Sequence, residues 1–154
     1  MRQMLTVLAV LSTAIVSAQS EIMLFDFRDG NMNGWRGNYH VAKCEGTKEG
    51  LHAVSNGGED PWIEGPAMPT LPDGNYEKLW IEIRFKGTAT GIQLFYGDGF
   101  SASREVHIGN PTPNEWTIGK ALIPRPEGKC RLRIDPCVGN GEITVANIQA
   151  KLLF

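Results

Sequence analysis

Apolar runs long enough to cross a bilayer are missing from this chain. One stretch comes near, 4–16, apolar apart from Thr6, Ser12 and Thr13, but it falls short of the roughly 20 residues a membrane helix needs. It follows Met1-Arg2-Gln3 with its single positive charge, and it leads into Val16-Ser17-Ala18, small residues where a signal peptidase cuts. The pattern predicts a cleavable signal peptide over 1–18, one mature domain over 19–154, and delivery to the periplasm or the outside of the cell. No cysteine stands at the cleavage point, which argues against a lipid anchor.

Cysteine is scarce and odd in number: Cys44, Cys130 and Cys137. Cys130 and Cys137 end one strand and its following turn, so they bridge only if the Pro136 turn folds back sharply. Cys44 with either is equally open, and any one bridge leaves a free thiol. Cys130 shares its parity with Leu132 and Ile134, which makes it a buried apolar residue. A basic surplus is also lacking. The formal charge is −2 and cations are scattered outside the Arg131/Arg133 pair, which excludes the basic stripe of a nucleic-acid binder.

Catalytic signatures are absent too. There is no Gly-x-Ser-x-Gly, no His-Glu-x-x-His and no phosphate loop. His40, His52 and His107 lack ligand-like spacing. No motif groups the paired carboxylates or the Tyr/His base that a glycosidase or lyase needs.

Helical periodicity does not occur beyond residue 20; alternation of period two does. In 79–85 the odd positions are aliphatic or aromatic and the even ones mostly charged, and 130–134 repeats the pattern. Further strands are expected at 92–96 and 116–123, with a weaker one at 143–148. Eighteen glycines and nine prolines punctuate the chain, and Asp98-Gly99, Asn110-Pro111 and Gly139-Asn140-Gly141 read as turns. About eight short strands in one domain imply two packed sheets. The longest irregular stretch is expected at 57–72.

Two motifs near the ends carry a resemblance. Phe25-Asp26-Phe27-Arg28-Asp29-Gly30 runs into Gly34-Trp35, and Arg131-Leu132-Arg133-Ile134-Asp135-Pro136 precedes a Gly-rich turn and a final apolar stretch. Over 22–154 the chain resembles the galactose-binding-like and carbohydrate-binding-module group, modules that usually hang from secreted bacterial polysaccharide-degrading enzymes. The resemblance implies an all-β fold, a two-sheet antiparallel β-sandwich of jelly-roll type. It also implies a non-catalytic protein whose partner is a polysaccharide or glycan. The alternative is a structural or adhesive module that binds a protein partner through an exposed sheet face.

Sugar recognition needs flat aromatic faces beside planar polar groups. Trp80, Glu82 and Arg84 share the polar face of one strand, and Gln93 joins them if its strand pairs in the same sense. Arg131, Arg133 and Asp135 share another, and Trp62 follows Asp60-Pro61 in the long loop. Each has a structural counter-reading: Trp80 lies under the 57–72 loop, and Arg84 or Arg133 pairs with Glu82 or Asp135. Trp35, Trp116 and Tyr96 are assigned to the core.

Asp29-Gly30-Asn31-Met32-Asn33-Gly34 has the opening of a calcium loop, with Asp29, Asn31 and Asn33 as ligands. Its twelfth position is His40 instead of an acid. Resembling modules often hold a structural calcium using an Asp in the last strand, where this chain has Ala146. The alternative for these six residues is a turn.

Overall fold

The computed structural model describes residues 20–88, 91–109, 112–136 and 139–154; the predicted signal peptide and Cys137 lie outside them. Eleven strands are present among the described residues. They are β1 (Ser20–Asp26), β2 (Arg36–Gly37), β3 (Val41–Gly46), β4 (Leu51–Ser55), β5 (Ile63–Ala67), β6 (Lys78–Gly87), β7 (Ile92–Gly97), β8 (Glu105–Gly109), β9 (Thr117–Pro124), β10 (Arg131–Asp135) and β11 (Glu142–Leu153), with one 3-10 turn at Ala102–Arg104. They form two antiparallel sheets. One has the order β3-β4-β11-β6-β9, with β1 also paired to β11, and the other has the order β2-β5-β10-β7-β8. The all-β sandwich expected from the alternation is the observed fold.

The alternating residues of β6, β7 and β10 explain the packing. Leu79, Ile81, Ile83 and Phe85 of β6 meet Ile92 and Leu94 of β7 and Leu132 and Ile134 of β10 between the sheets, all of them essentially inaccessible. Phe25, Phe27 and Trp35 join this core as an aromatic cluster: the two Phe rings lie parallel with centroids 6.2 Å apart, and each meets Trp35 edge-to-face at 5.4 and 5.7 Å. Removing a ring such as Phe27 costs about 3–5 kcal/mol, enough to release the chain entry that the first motif marks.

Three expectations need correction. The stretch 57–72 contains β5, a central strand that pairs with both β2 and β10; its Gly and Pro residues hide the alternation. The weak strand at 143–148 is part of β11, the longest strand and the centre of its sheet. Over 143–148 its alternation is blurred because both faces are covered, and a bulge at Ala146 shifts the register between Val145 and Asn147. The bulged Ala146 carbonyl accepts the Phe27 amide at 3.0 Å. Trp116 is not core: it is 39% exposed, beneath the Arg84 and Lys86 side chains.

Candidate functional site

The predicted site residues divide between the two outer faces. Trp80, Glu82 and Arg84 lie on the six-stranded sheet, while Gln93, Arg131, Arg133 and Trp62 lie on the five-stranded one. Gln93 therefore does not neighbour Trp80, because β7 pairs with β10 and β8. The 57–72 segment does not cover Trp80 either, since β5 belongs to the opposite sheet.

The five-stranded face is organised by β10. With Leu132 and Ile134 turned inward, Arg131, Arg133 and Asp135 must point outward. Arg133 stands opposite Phe95 of β7 and Glu64 of β5; Phe95 stands opposite Glu105 of β8, and Glu64 opposite Arg36 of β2. One row of side chains thus crosses all five strands. A second row runs from Asp135 through Gln93 to His107.

Arg133 is the centre of this face. Its Nε donates to Asp135 Oδ1 at 2.6 Å and its Nη2 to Asp135 Oδ2 at 2.7 Å, a bidentate pair. Nη2 also reaches Asp60 Oδ1 at 3.2 Å. The guanidinium lies 4.9 Å from the ring centroid of Trp62 and 4.9 Å from that of Phe95. These rings come from the two strands' sides that flank β10, so the cation sits between aromatic groups. Burial pushes the Asp135 carboxyl above its ordinary range, and Arg133 only partly offsets this. For Arg133, burial opposes the charge, but the hydrogen bond to Asp135 and the surrounding carboxylates raise its pKa.

Trp62 is held in place by backbone chemistry. The Asn38 amide donates to the Trp62 carbonyl at 3.0 Å, and Asn38 Nδ2 donates to the Asp60 carbonyl at 2.7 Å. Pro61 is buried, so Asp60-Pro61 fixes the loop while Asp60 reaches across to Arg133. Arg131 extends the face: its guanidinium lies 5.0 Å from the Phe100 ring, and Nη2 donates to the Asp98 carbonyl at 3.2 Å. Gln93 Nε2 donates to Glu105, which His107 Nε2 also meets at 2.9 Å. Sequence reasoning missed Phe95 and Phe100. Phe95 was findable, since it shares the parity of Gln93; Phe100 depends on where the Asp98-Gly99 turn carries it.

On the six-stranded face Glu82 is nearly buried and ion-paired. It accepts from Gln149 Nε2 at 3.0 Å and meets Lys120 Nζ at 3.0 Å and Lys151 Nζ at 3.2 Å. Burial alone would raise its pKa, but these donors hold it below the ordinary 4.5. Arg84 does not pair with it.

In the loop after β1, Asp29 Oδ1 accepts the Asn31 amide and Asn31 Oδ1 accepts the Asn33 amide, each at 2.8 Å. Asn33 Nδ2 donates to the Asp26 carbonyl at 2.7 Å. These are successive Asx turns, with Asn33 and Gly34 at positive φ. Among the described residues no group of three or more His, Cys, Asp or Glu side chains is placed to hold a metal ion. Cys44 and Cys130 are free thiols, each pushed up in pKa by burial.

Against known structures the sandwich finds clear counterparts. A family 29 carbohydrate-binding module superposes with a TM-score of 0.59 at 10% identity, covering 87% of this chain and 89% of that one. The fold is that of the carbohydrate-binding-module β-sandwiches. A family 29 module variant complexed with cellulohexaose gives a TM-score of 0.59 at 12% identity over 86% of this chain and 91% of that one. A family 29 module from Piromyces equi gives 0.53 at 13% identity over 87% and 91%. No protein-family model and no curated protein matches the chain by sequence.

Proposed function

We propose that this chain is an exported, non-catalytic glycan-binding module whose site is the outer face of the five-stranded sheet. The observation that carries the reading is Arg133, fixed by Asp135 and flanked by Trp62 and Phe95. Aromatic rims beside a rigid planar ion pair supply both requirements of sugar recognition, C–H stacking and paired hydrogen bonds to vicinal hydroxyls. The Asp135 carboxylate keeps acceptor capacity beyond its two Arg133 bonds, and Gln93 and Arg131 extend the polar row.

The charge pattern favours a neutral polysaccharide over one rich in uronate or sulfate. Arg133 is neutralised by Asp135, while Arg36 and Arg131 meet Glu64 at 2.9 and 3.6 Å. These cations are already paired, so an incoming anion would have to displace a carboxylate. The same pairing argues against catalysis. Asp135, Glu64 and Glu105 are all engaged by neighbouring donors, which leaves none poised as acid or base for glycosidic cleavage. Residues 1–18 support export. Binding is expected to be weak, because an open sheet face buries little ligand surface.

Affinity electrophoresis of the mature chain against neutral and uronate-rich polysaccharides tests this reading. Retardation by a neutral polysaccharide, lost in Trp62→Ala, is the expected result. Silence across the panel, or retardation by uronates alone, would overturn it.

A further inference from the structure

The opposite face of the sandwich is built for something else. β9 ends its sheet and has no strand paired on its outer side among the described residues, so a row of its peptide groups lacks strand partners, while β8 of the other sheet sets Ile108 against Gly119 on the inner face. Its outward side chains are Ile118, Lys120 and Leu122. Ile118 is 56% and Leu122 38% exposed, and the half-exposed Trp116 stands just before them. β6 continues the surface, with Trp80 opposite Leu122 and Arg84 opposite Ile118. Along the edge itself the branched aliphatic side chains offer no flat platform to a pyranose, and the Trp116 ring is overlaid by Arg84 and Lys86.

Charge narrows the occupant. Arg84 is exposed and has no carboxylate partner among the described residues; its guanidinium lies 5.4 Å from the Trp116 ring centroid, with Lys86 Nζ 5.0 Å from it. The other cations here are paired: Lys120 and Lys151 share Glu82, Lys151 also meets Glu21, and Lys86 meets Glu49 at 2.8 Å. The surface beside the open edge is therefore apolar, and Arg84 is the cation of this patch left without a carboxylate among the described residues. A second copy of the chain fits it poorly. An antiparallel pair of β9 strands centred on Lys120 would match Ile118 with Leu122 but set two ammonium groups face to face.

We propose that the β9 edge receives an extended segment of another protein, added as a further strand, with the outward pattern aliphatic-x-acidic-x-aliphatic. The aliphatic positions lie against Ile118 and Leu122, and the acid lies opposite Lys120 within the field of Arg84. Main-chain bonds along the edge supply affinity, and the alternate side chains supply choice of partner. The module would then join a glycan on one sheet to a protein on the other.

A labelled, acetylated peptide repeating Val-Thr-Glu-Thr presents that pattern on one face. Two comparison peptides carry lysine in place of glutamate, or serine in place of valine. With the full mature chain, the glutamate peptide should bind at least about tenfold more tightly than either comparison, and it should shift the backbone amides of 117–123 in NMR spectra. Arg84→Glu, which breaks no ion pair of the fold, should remove that preference while polysaccharide retardation stays unchanged. Ile118→Ser should weaken the peptide and likewise spare the glycan. No binding at millimolar peptide, equal binding of the glutamate and lysine peptides, or dimerisation of the chain without peptide would each overturn the proposal. Loss of glycan retardation in the wild type would strike the glycan reading alone.

Discussion

Replacing Arg133 with methionine keeps most of the side-chain volume and removes the charge. It leaves Asp135, which is 6% exposed, ionised without its bidentate partner, with Asp60 on the same patch. Removing one member of a buried pair costs about 3–5 kcal/mol, against 0–1 kcal/mol for an exposed pair. Taking the lower end, and about 3–5 °C per kcal/mol for a domain of this size, Tm should fall by roughly 10–15 °C at pH 7. The deficit should depend on pH. Burial already raises the Asp135 pKa, and loss of Arg133 raises it further. The cost is present while Asp135 is ionised and fades as pH falls through that raised value toward the ordinary 3.8. Thermal melts of both proteins at pH 7 and near pH 4 check this. Adding Asp135→Leu to the Arg133→Met variant removes the orphaned charge and should recover most of the stability, but not polysaccharide retention. A loss below about 1 kcal/mol, or one equal at both pH values, would refute the reasoning.

Trp62→Ala should weaken glycan binding by about tenfold or more, a hot-spot loss, whereas Trp80→Ala, on the opposite sheet, should leave it within twofold; titration calorimetry with the retained polysaccharide separates them. Glu82→Gln should lose its stability deficit at low pH. The depressed Glu82 pKa means that the carboxylate's contribution is complete above 4.5 and is lost as pH falls through the lower folded value, which paired denaturation curves would show. Gly50→Ala places a methyl carbon 2.1 Å from the Val145 carbonyl oxygen at a φ of +149°, so it should cost about 3 kcal/mol or abolish folding. Gly99→Ala meets nothing within 4 Å and should melt like the wild type. Calcium and chelator should give the same Tm, because the Asp29 and Asn31 oxygens already accept backbone amides; a calcium-dependent rise would instead assign the loop to the ion.

β6, β7, β9 and β10, which face water on one side, were legible in the sequence. β6 and β10 alternate because one face is core and the other is polar, and Cys130 went to the interior by the same parity. β11 was read only as a weaker strand over 143–148 because those residues are covered on both faces, so that half carries no alternation to read. β5 escaped because Gly65 and Pro66 stand where apolar residues would mark the strand; a β-carbon on Gly65 would lie 2.5 Å from the Trp35 ring, so that glycine is a packing requirement. Which outward residues share a face was beyond the sequence altogether. Trp80 and Arg133 looked equally good, and only the strand order separates them onto opposite sheets. Trp116 was assigned inward from its place at a strand start, yet it lies one residue outside β9, where parity with the strand does not hold it to the core.

The chain has four tryptophans, and they sample distinct environments: Trp35 in the core, Trp62 on the five-stranded face, and Trp80 and Trp116 on the six-stranded one. Their indole N–H signals therefore report directly on where a glycan lands. With the retained neutral polysaccharide, or an oligosaccharide cut from it, the Trp62 signal should move with increasing ligand while those of Trp80 and Trp116 stay still. Movement of Trp80 or Trp116 with Trp62 unchanged would place the glycan on the other sheet and contradict the account.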